Sequence, residues 1–409
     1  MTDRIFDVII LGATGFTGKL AAEYMFATYG LSGSCKWAVA GRSASKLNEL
    51  RVAVAGEDAD KLPQLLADSH NEESLRQLVA STSVVCTTVG PYALYGSLLV
   101  QLCAEEGTHY CDLTGELHWM QKMIFAHHAT AEASGARIVH TCGFDSIPSD
   151  LGTLFMQDEM HRLHGVYAPR VKYRVAGQSG GVSGGTVASM INMMEEARVD
   201  PGLIDIMADP YALNPPNMPR GGDGADQSGA SYDKDFGQWT GPFVMAGINT
   251  RVVRRTHSLL GYPWGGDFRY DEAVLTGDGP GGYTRAALLA GGTGLMMAAS
   301  AFTPTRNLLV RMAPSPGEGP DEETIKNGYF EIDFFAMHPE DPKCDLIGRV
   351  TGDRDPGYGA TAKMLVESAV CLAQDELSSP GGISTPAFAM GQKLVSRLVE
   401  NAGMGFSLV

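Results

Sequence analysis

Residues 8–18, VIILGATGFTG, join an apolar run to three regularly spaced glycines. A continuous run such as VIIL is typical of a strand buried on both faces of a parallel sheet. The spacing G-x-x-G-x-x-G then opens a helix pattern, so Gly12 would allow a tight turn, Gly15 a close approach of a pyrophosphate, and Gly18 close helix–strand packing. Free N–H groups at the helix start would hold the phosphates. The stretch predicts a dinucleotide site whose contacts are Gly12, Ala13, Thr14, Gly15, Phe16, Thr17 and Gly18.

The alternation of strand and helix patterns continues from this stretch to about residue 150. Five further strand patterns occur in order, KWAVAGR, LPQLLAD, SVVCTTVG, THYCDLTG and ARIVHTCG, with helix patterns between them. Strands that alternate with helices of this length specify a parallel sheet with helices on both faces. The sequence therefore predicts an α/β protein with a Rossmann-type doubly wound parallel sheet.

Beyond this sheet the pattern changes to that of an α+β domain. We expect strands at RVKYRVAG, RVVRRTHSL and YFEIDFFAMH, the first exposed and antiparallel, and an irregular excursion over 200–243. Two helix patterns, ATAKMLVESAVCLAQ and AFAMGQKLVSRLVEN, follow them. We predict three parts: a Rossmann domain at 1–150, an α+β substrate or oligomerisation domain at 151–350, and C-terminal helices at 351–409 that pack back on the Rossmann domain.

Composition limits the partners and the location. The net charge of −16 disfavours binding to nucleic acid, whose phosphates would repel the chain. The seven cysteines are scattered and never in C-x-x-C spacing, so we expect neither a disulfide framework nor a metal site. The N-terminus lacks the basic start of a signal peptide, which favours the cytoplasm. A homodimer is the default assembly, because symmetric dimers dominate among oligomers.

The uncharged segment 286–305, AALLAGGTGLMMAASAFTPT, is long enough to span a bilayer. Its glycine, alanine, serine and threonine content makes it only weakly hydrophobic. We expect a buried helix or helical hairpin here, in preference to a lipid-touching surface or a true span. A location peripheral to a membrane stays open as an alternative.

The end of the second strand pattern, AGRSASK, indicates which dinucleotide binds. An NAD site places an acidic residue here to bond the ribose 2′-hydroxyl, whereas Arg42, Ser43 and Lys46 could surround a 2′-phosphate. NADP is therefore the predicted cofactor, the alternative being that these are solvated residues of a helix start. Asp68, at the end of the third strand pattern, is expected near the adenine unless it anchors the next helix.

The end of the fourth strand pattern supplies candidates for chemistry, because ligands bind beyond the carboxyl ends of parallel strands. Val89, Gly90 and Pro91 would form the wall beside the nicotinamide ribose. Tyr92 and Tyr95 follow, and their phenols could point into the cleft as proton donors. The open alternative is that both phenols pack and cap locally.

Carboxylates close the fifth and sixth strand patterns. Asp112 lies in CDLTGE, and Asp145 lies in HTCGFDSIPSDLG, residues 140–152. Pro148 fits the first turn of a following helix, and Asp150 would stand at the positive end of that helix in a mainly structural role. Asp112 and Asp145 thus complete a set of candidate catalytic residues with Tyr92 and Tyr95.

Several long stretches together resemble one family. They are GATGFTG, AGRSASKL, VGPYALYGSLLVQLCAEEGTHYCDLTGE, RIVHTCGFDSIPSDLG, PSPGEGPDEETIKNGYF and DPGYGATAKMLVESAVCLA. In them the chain is similar to the saccharopine dehydrogenase-like oxidoreductases, most of all to the branch of trans-acting enoyl reductases. The resemblance covers nearly the whole chain outside 200–245. It implies an NADP-binding Rossmann domain joined to an α+β domain, with the cleft between them.

The resemblance also implies a reaction, the reduction of a C=C bond in an apolar, unsaturated acyl or polyketide-like substrate that is small or bound to a carrier. A hydride would reach the β-carbon, and an acid would protonate the α-carbon. Two alternatives stay open: a nucleotide-binding, lipid-associated protein without catalysis, and a saccharopine-type amino-acid dehydrogenase. The last would need basic groups for several carboxylates. Arg251, Arg254 and Arg255 form the only tight basic cluster of the second domain, and a strand face suffices to explain them.

Overall fold

Two seven-stranded sheets form the framework of the protein, and the first is entirely parallel. The structure, a computed structural model, describes residues 4–179, 184–301, 304–305 and 319–409. The strands of the first sheet are β1 (Phe6–Leu11), β2 (Trp37–Gly41), β3 (Gln64–Leu66), β4 (Thr82–Thr87), β5 (His109–Cys111), β6 (Arg137–Val139) and β13 (Gly382–Ser384). Their order across the sheet is β13-β6-β5-β4-β1-β2-β3.

The central position of β1 follows from its apolar sequence. Its residues from Val8 to Leu11 are buried, and Val8 pairs with Trp37 of β2 on one side and with Val84 of β4 on the other. A strand covered on both faces and both edges tolerates no polar side chain. The parallel α/β sheet confirms the predicted fold class, although the seventh strand, β13, was not anticipated.

The second sheet is mixed and has its own set of strands. They are β7 (Arg170–Ser179), β8 (Ser231–Asp233), β9 (Gln238–Pro242), β10 (Arg269–Gly277), β11 (Tyr329–Met337), β12 (Leu346–Gly352) and β14 (Met404–Leu408). Their order is β14-β12-β11-β7-β10-β9-β8. Only the central pair of β7 and β10 runs parallel within the described residues.

Helices cover the sheets and connect them. They are α1 (Phe16–Tyr29), α2 (Ala44–Ala55), α3 (Glu72–Ser81), α4 (Tyr92–Tyr95), α5 (Ser97–Glu106), α6 (Leu117–Ser134), α7 (Ile147–His164), α8 (Gly184–Val199), α9 (Gly202–Ala208), α10 (Ala246–Leu259), α11 (Gly279–Ala301), α12 (Glu322–Asn327), α13 (Thr361–Gln374) and α14 (Pro386–Asn401). Single helical turns occupy Gly56–Lys61, Pro342–Cys344 and Pro356–Ala360. Helix α13 packs on β1, β4 and β5, while β14 joins the second sheet.

The strand predicted at RVVRRTHSL is wrong, because this stretch lies within helix α10. Arg251, Arg254 and Arg255 are buried along it at i, i+3 and i+4, the spacing of one helix face. Residues 207–226 of the irregular excursion cover that face and supply acceptors for the guanidinium groups. The alternation of arginine with valine thus marks a helix buried under a loop.

The strand predicted at RVKYRVAG exists as β7, but it is not an exposed antiparallel strand. Residues 171–175 are buried, and β7 lies at the centre of the second sheet between β10 and β11. Its charged residues Lys172 and Arg174 stay buried because Asp233 pairs with both. Period-two charge alternation therefore reflects internal ion pairs and not contact with water.

The uncharged segment forms the greater part of α11, and the prediction that it is buried is wrong. Leu288 and Leu295 are 71% and 72% exposed, and Met297 is exposed as well. Residues 302–303 of the segment lie outside the described residues. Within the described ranges, no helix is both long enough and apolar enough to cross a bilayer.

Candidate active site

The glycine loop after β1 is shaped by close contacts that only glycine permits. Gly12 has φ = +86°, and a Cβ there would lie 2.7 Å from Val89 Cγ2. A Cβ on Gly18 would lie 2.2 Å from the Gly12 carbonyl oxygen, so α1 packs directly on the turn. Gly15 directly precedes α1 and donates its N–H to the Gly12 oxygen at 2.9 Å. The loop therefore fits a dinucleotide pyrophosphate at the start of α1.

Phe16 of this loop is held by a part of the chain far away in sequence. Its ring lies edge-on to Tyr358, with ring centroids 4.7 Å apart. Gly319 sits so close that a Cβ there would be 2.4 Å from Phe16 Cε1. Ala13 is buried and Thr14 exposed, which leaves Thr14 on the open side of the loop. Residues 319 and 358 thus flank the cofactor loop, and no motif had placed them there.

The end of β2 presents two cations to solvent beside this loop. Arg42 and Lys46 are exposed, and neither forms an ion pair within the described part of the chain. The Ser43 hydroxyl accepts the Lys46 N–H at 3.4 Å and thereby begins α2. Two uncommitted positive groups at a helix start suit the 2′-phosphate of NADP. Asp68, in contrast, accepts the backbone N–H of His70 at 2.9 Å and so anchors its own loop.

Tyr92 does not face the cleft, which corrects the expectation for its phenol. It is buried, and its hydroxyl donates to the Thr87 carbonyl oxygen at 3.3 Å. The hydroxyl oxygen of Tyr92 also accepts the Leu113 N–H at 3.1 Å. Burial raises the pKa of this phenol. Tyr92 thus follows the alternative in which the phenol packs locally, because its hydroxyl bonds to residues at the ends of β4 and β5.

Tyr95 lies elsewhere, and the helix that holds it is interrupted. A Cβ on Gly96 would be 2.7 Å from Trp119 Cζ2, and this crowding marks the break between α4 and α5. The ring of Tyr95 packs edge-on against His70 at 5.4 Å, near the loop that follows β3. Because β3 and β5 lie on opposite sides of β1, Tyr95 is separated from Asp112. Between β4 and Tyr95 lie Val89, Gly90 and Pro91, the residues that were predicted to form the wall beside the nicotinamide ribose.

Asp112 is buried and its carboxylate is saturated by four donors. Tyr110 Oη and His140 Nδ1 reach one oxygen at 2.8 and 2.7 Å, and the N–H groups of Thr114 and Thr141 reach the other at 3.1 Å. Thr141 adopts φ = +60°, which a residue with a Cβ rarely does. Asp112 therefore shapes the ends of β5 and β6 and has no free lone pair aimed at a substrate.

Asp145 is the candidate acid that follows β6, the strand next to β5 in the first sheet. It lies in the turn between β6 and α7, and its Oδ2 is 3.8 Å from the position of a Cβ on Gly115. Within the described residues its carboxyl group makes no hydrogen bond or ion pair. Burial raises its pKa from 3.8 to about 7. Such a group can hold and release a proton near neutral pH.

Asp150 plays the structural part expected of it. It stands in the first turn of α7, two residues after Pro148. Its carboxylate accepts the Thr256 hydroxyl at 2.5 Å and the Ala387 N–H at 2.8 Å. These contacts join the starts of α7 and α14 to α10. Burial raises its pKa to about 7, while its hydrogen bonds oppose that shift.

Glu116, which follows β5 together with Asp112 and was expected at the reacting cleft, is a structural carboxylate. It accepts the N–H groups of Tyr92 and Ala93, each at 2.8 Å, and so begins α4. The Ser189 hydroxyl of α8 donates to it at 2.8 Å. The carboxylate therefore links the wall at Val89, Gly90 and Pro91 to a helix beyond residue 150.

The cations of the second sheet and of α10 are all committed to internal partners. Lys172 Nζ and Arg174 Nε each lie 2.7 Å from Asp233, and Arg254 Nε lies 2.7 Å from an Asp223 oxygen. Arg251 pairs with Asp226, and Arg255 donates to the Leu213 and Ile383 carbonyl oxygens. None of these groups is left over to bind a substrate carboxylate.

One cluster of potential metal ligands lies at the far end of α7. Single ligand atoms of His164, His338 and Cys344 lie within 4.8 Å of one another. However, His338 Nδ1 accepts the Asp341 N–H at 2.9 Å. The other ring nitrogen of a neutral His338 must then carry the proton, so this arrangement does not suit metal ligation. That no metal takes part in the chemistry stays a prediction.

Comparison with known proteins gives a family. Residues 8–139 match the saccharopine dehydrogenase NADP-binding domain, which assigns NADP as the cofactor. A Mycobacterium tuberculosis protein provisionally named a trans-acting enoyl reductase is 38% identical over 97% of this chain and 96% of its own length. The Mycobacterium leprae trans-acting enoyl reductase is 35% identical with the same coverage. The saccharopine dehydrogenase (L-Glu forming) of Saccharomyces cerevisiae shares the fold, with a TM-score of 0.52 and 11% identity over 99% of this chain and 100% of that one.

Proposed function

The chain belongs to the saccharopine dehydrogenase-like oxidoreductases, in the branch of the trans-acting enoyl reductases, and from that premise we propose that it reduces the C=C bond of an apolar α,β-unsaturated acyl substrate. The observation that carries this proposal is the commitment of the buried cations. A saccharopine-type substrate bears several carboxylates, and Arg251, Arg254 and Arg255 already have internal partners. An uncharged acyl chain needs no such partners, so the internal pairing of these arginines favours an acyl or polyketide-like thioester as the substrate.

The residues of the chain would divide the work as follows. NADPH, when bound, would provide the hydride that the β-carbon of the substrate takes up. Gly12, Gly15 and Gly18 let the loop approach its pyrophosphate, and Arg42 and Lys46 neutralise the 2′-phosphate.

Asp145 would supply the proton that completes the reduction. Hydride addition at the β-carbon moves the electron pair of the C=C bond toward the thioester carbonyl, and the α-carbon then takes up a proton. With a pKa of about 7, the Asp145 carboxyl group is mostly protonated below neutral pH and about half protonated at neutral pH. Asp112 is a positioning residue in this scheme, because its four hydrogen bonds fix the strand ends beside that turn.

We also propose a division of labour along the chain. Residues 1–150 would hold the cofactor, 151–350 would shape the substrate side, and 351–409 would brace the two. The packing of α13 on the first sheet and the pairing of β14 with β12 support the bracing role.

A comparison of two substrate classes, uncharged enoyl thioesters and saccharopine-like imines, tests the proposed reaction. We expect oxidation of NADPH in the presence of uncharged 2-enoyl thioesters, with formation of the saturated thioester, and little oxidation with saccharopine-like imines. Oxidation only with the imines would favour the amino-acid dehydrogenase and refute the proposal. Equal affinities for NADH and NADPH would refute the roles of Arg42 and Lys46.

One observation favours contact with lipid as an additional property. The apolar side chains of Leu288, Leu295 and Met297 on α11 are exposed, and no charged residue interrupts them. Exposed apolar patches often mark interaction sites. Flotation of the protein with uncharged lipid vesicles would support lipid contact, and recovery of all protein in the lipid-free fraction would exclude it.

A further inference from the structure

A groove of about 890 Å³ runs between α6 on one side and α8 and α9 on the other, and α4 contributes to its lining. We call it the α6–α8 groove. Its volume lies within the range of sites for small organic ligands. The groove takes no part in the proposed cofactor binding or proton transfer.

The walls of the α6–α8 groove expose large apolar side chains. Phe125 of α6 is 60% exposed, Val199 of α8 is 81% exposed, and Leu94 of α4 is also exposed. Leu203 and Ile206 of α9 complete the apolar lining. Side chains from four helices thus converge on one concave surface, which is how a binding site differs from scattered surface residues.

Two residues that line the α6–α8 groove are near neighbours in sequence of the candidate active site. Leu94 comes three residues after Pro91 of the cofactor wall, and His118 comes two residues after Glu116. Glu116 binds the Tyr92 N–H and Ser189 of α8, while His118 Nε2 lies 2.7 Å from Glu196, two turns further along α8. These contacts join the α4 end of the groove to the chain segment that follows Pro91.

The charges that line the α6–α8 groove exclude anionic ligands. Three carboxylates, Glu195, Glu196 and Asp200, line it with one lysine, Lys122, while His118 contacts Glu196. A carboxylate or phosphate in the groove would meet a net negative surface on a chain of charge −16. An uncharged hydrocarbon chain meets no such repulsion and covers the apolar walls.

We infer that the α6–α8 groove binds the hydrocarbon chain of the acyl substrate, with the reacting double bond at its α4 end and the remainder along α6 toward Val199. This inference rests on the proposed function, since it takes the reacting end to be a 2-enoyl thioester. It makes Phe125 and Val199 determinants of chain-length specificity. Each methylene group that enters the groove improves binding by up to roughly fourfold.

Chain-length dependence provides the test. The probes are the pantetheine thioesters of 2-butenoic, 2-octenoic and 2-dodecenoic acid, and the measured quantity is kcat/KM with NADPH. We expect kcat/KM of the wild type to rise with chain length, by about tenfold or more between the shortest and longest probe. Phe125→Asp and Val199→Asp should remove most of this rise while the butenoyl thioester is turned over as before.

The matched control is Val399→Asp, the same substitution at a side chain on α14 that is 47% exposed and outside the groove. It should keep the full dependence on chain length. Equal dependence in wild type and groove variants, or equal loss in the control, would overturn the inference. If none of the thioesters is reduced, the proposed reaction fails, and binding of an uncharged pyrene-labelled dodecanol to wild type but not to Phe125→Asp would still support the groove. Equal binding of that probe to both proteins would refute it.

Discussion

Replacing Asp145 by Asn removes a carboxyl group that the folded protein strongly prefers to keep protonated. Its pKa is 3.8 in an unfolded chain and about 7 in the folded protein. Between these pH values the folded state holds a proton that the unfolded state has released, so stability falls as pH rises through this window. The loss is about 1.4 kcal/mol per pH unit and reaches roughly 4 kcal/mol above the folded pKa.

Asp145→Asn should therefore be more stable than the wild type at about pH 8, by up to roughly 4 kcal/mol, and equally stable at about pH 4. Its turnover should move in the opposite direction, because the amide has no acidic proton to donate. A lost general acid lowers kcat by about 100-fold or more. In the wild type, kcat should decline as the pH rises above about 7, where Asp145 loses its proton.

Urea unfolding at both pH values and NADPH oxidation with a 2-enoyl thioester measure the two effects. Asp150 and Glu272, whose pKa values burial also raises to about 7, are present in both proteins and cancel in the comparison. Asp58→Asn, at an exposed site, is the matched control and should change stability by less than about 0.5 kcal/mol. An Asp145→Asn variant that is less stable than wild type at alkaline pH, or that keeps full turnover, would refute the reasoning.

Two further predictions concern the cofactor loop. Arg42→Ala and Lys46→Ala should each weaken NADPH binding by about 10- to 100-fold, because each removes a charge-assisted hydrogen bond to the 2′-phosphate. Binding of NADH should not change. Fluorescence titration with both nucleotides measures this, and an equal loss for the two nucleotides would contradict it. Gly18→Ala should lower the free energy of unfolding by about 1–3 kcal/mol and weaken NADPH binding, because its methyl group would lie 2.2 Å from the Gly12 carbonyl oxygen. Gly30→Ala, at the far end of the same helix, has no atom within 4 Å of the added Cβ but carries φ = +63°, so it should affect stability without affecting NADPH.

The sequence was most informative where one local pattern determines both structure and contact. The apolar run and glycine spacing of 8–18 predict a buried strand, a turn and a helix, and the structure contains all three. The prediction of NADP from AGRSASK agrees with the family match. Pro148 predicts the first turn of α7 for the same reason, since its ring presets a helical φ and lacks an N–H that would need a partner.

The direction of a side chain was harder to predict than the position of its Cα. Tyr92 does follow β4, but it begins α4, and the helix turns its ring toward Trp119, with ring centroids 5.7 Å apart. No motif encodes that turn. The pairing of Asp112 with His140 was missed although a signal existed, because each follows a strand and β5 and β6 are neighbours in the sheet. The ends of two neighbouring parallel strands, taken together, predict the contact between Asp112 and His140.

Long-range partners caused the remaining errors. Arg251, Arg254 and Arg255 suggested a strand because valines and a threonine lie among them, and these residue types favour strands. The acceptors that allow such a helix to be buried come from 207–226 and from Ile383. A single sequence shows neither of these contacts.

The route of the chain has a consequence for how the protein is made. The first sheet receives its outermost strand, β13, and the helix that covers β1 and β4, α13, from residues beyond 360. A ribosome makes both parts after the other strands of this sheet, so the nascent nucleotide-binding half has the edge of β6 unpaired and one apolar face uncovered until then. Exposed edges and apolar faces of this kind invite aggregation. The nucleotide-binding half is then incomplete when residue 150 has been made, and we expect its stable form only after residues 361–384 have been added.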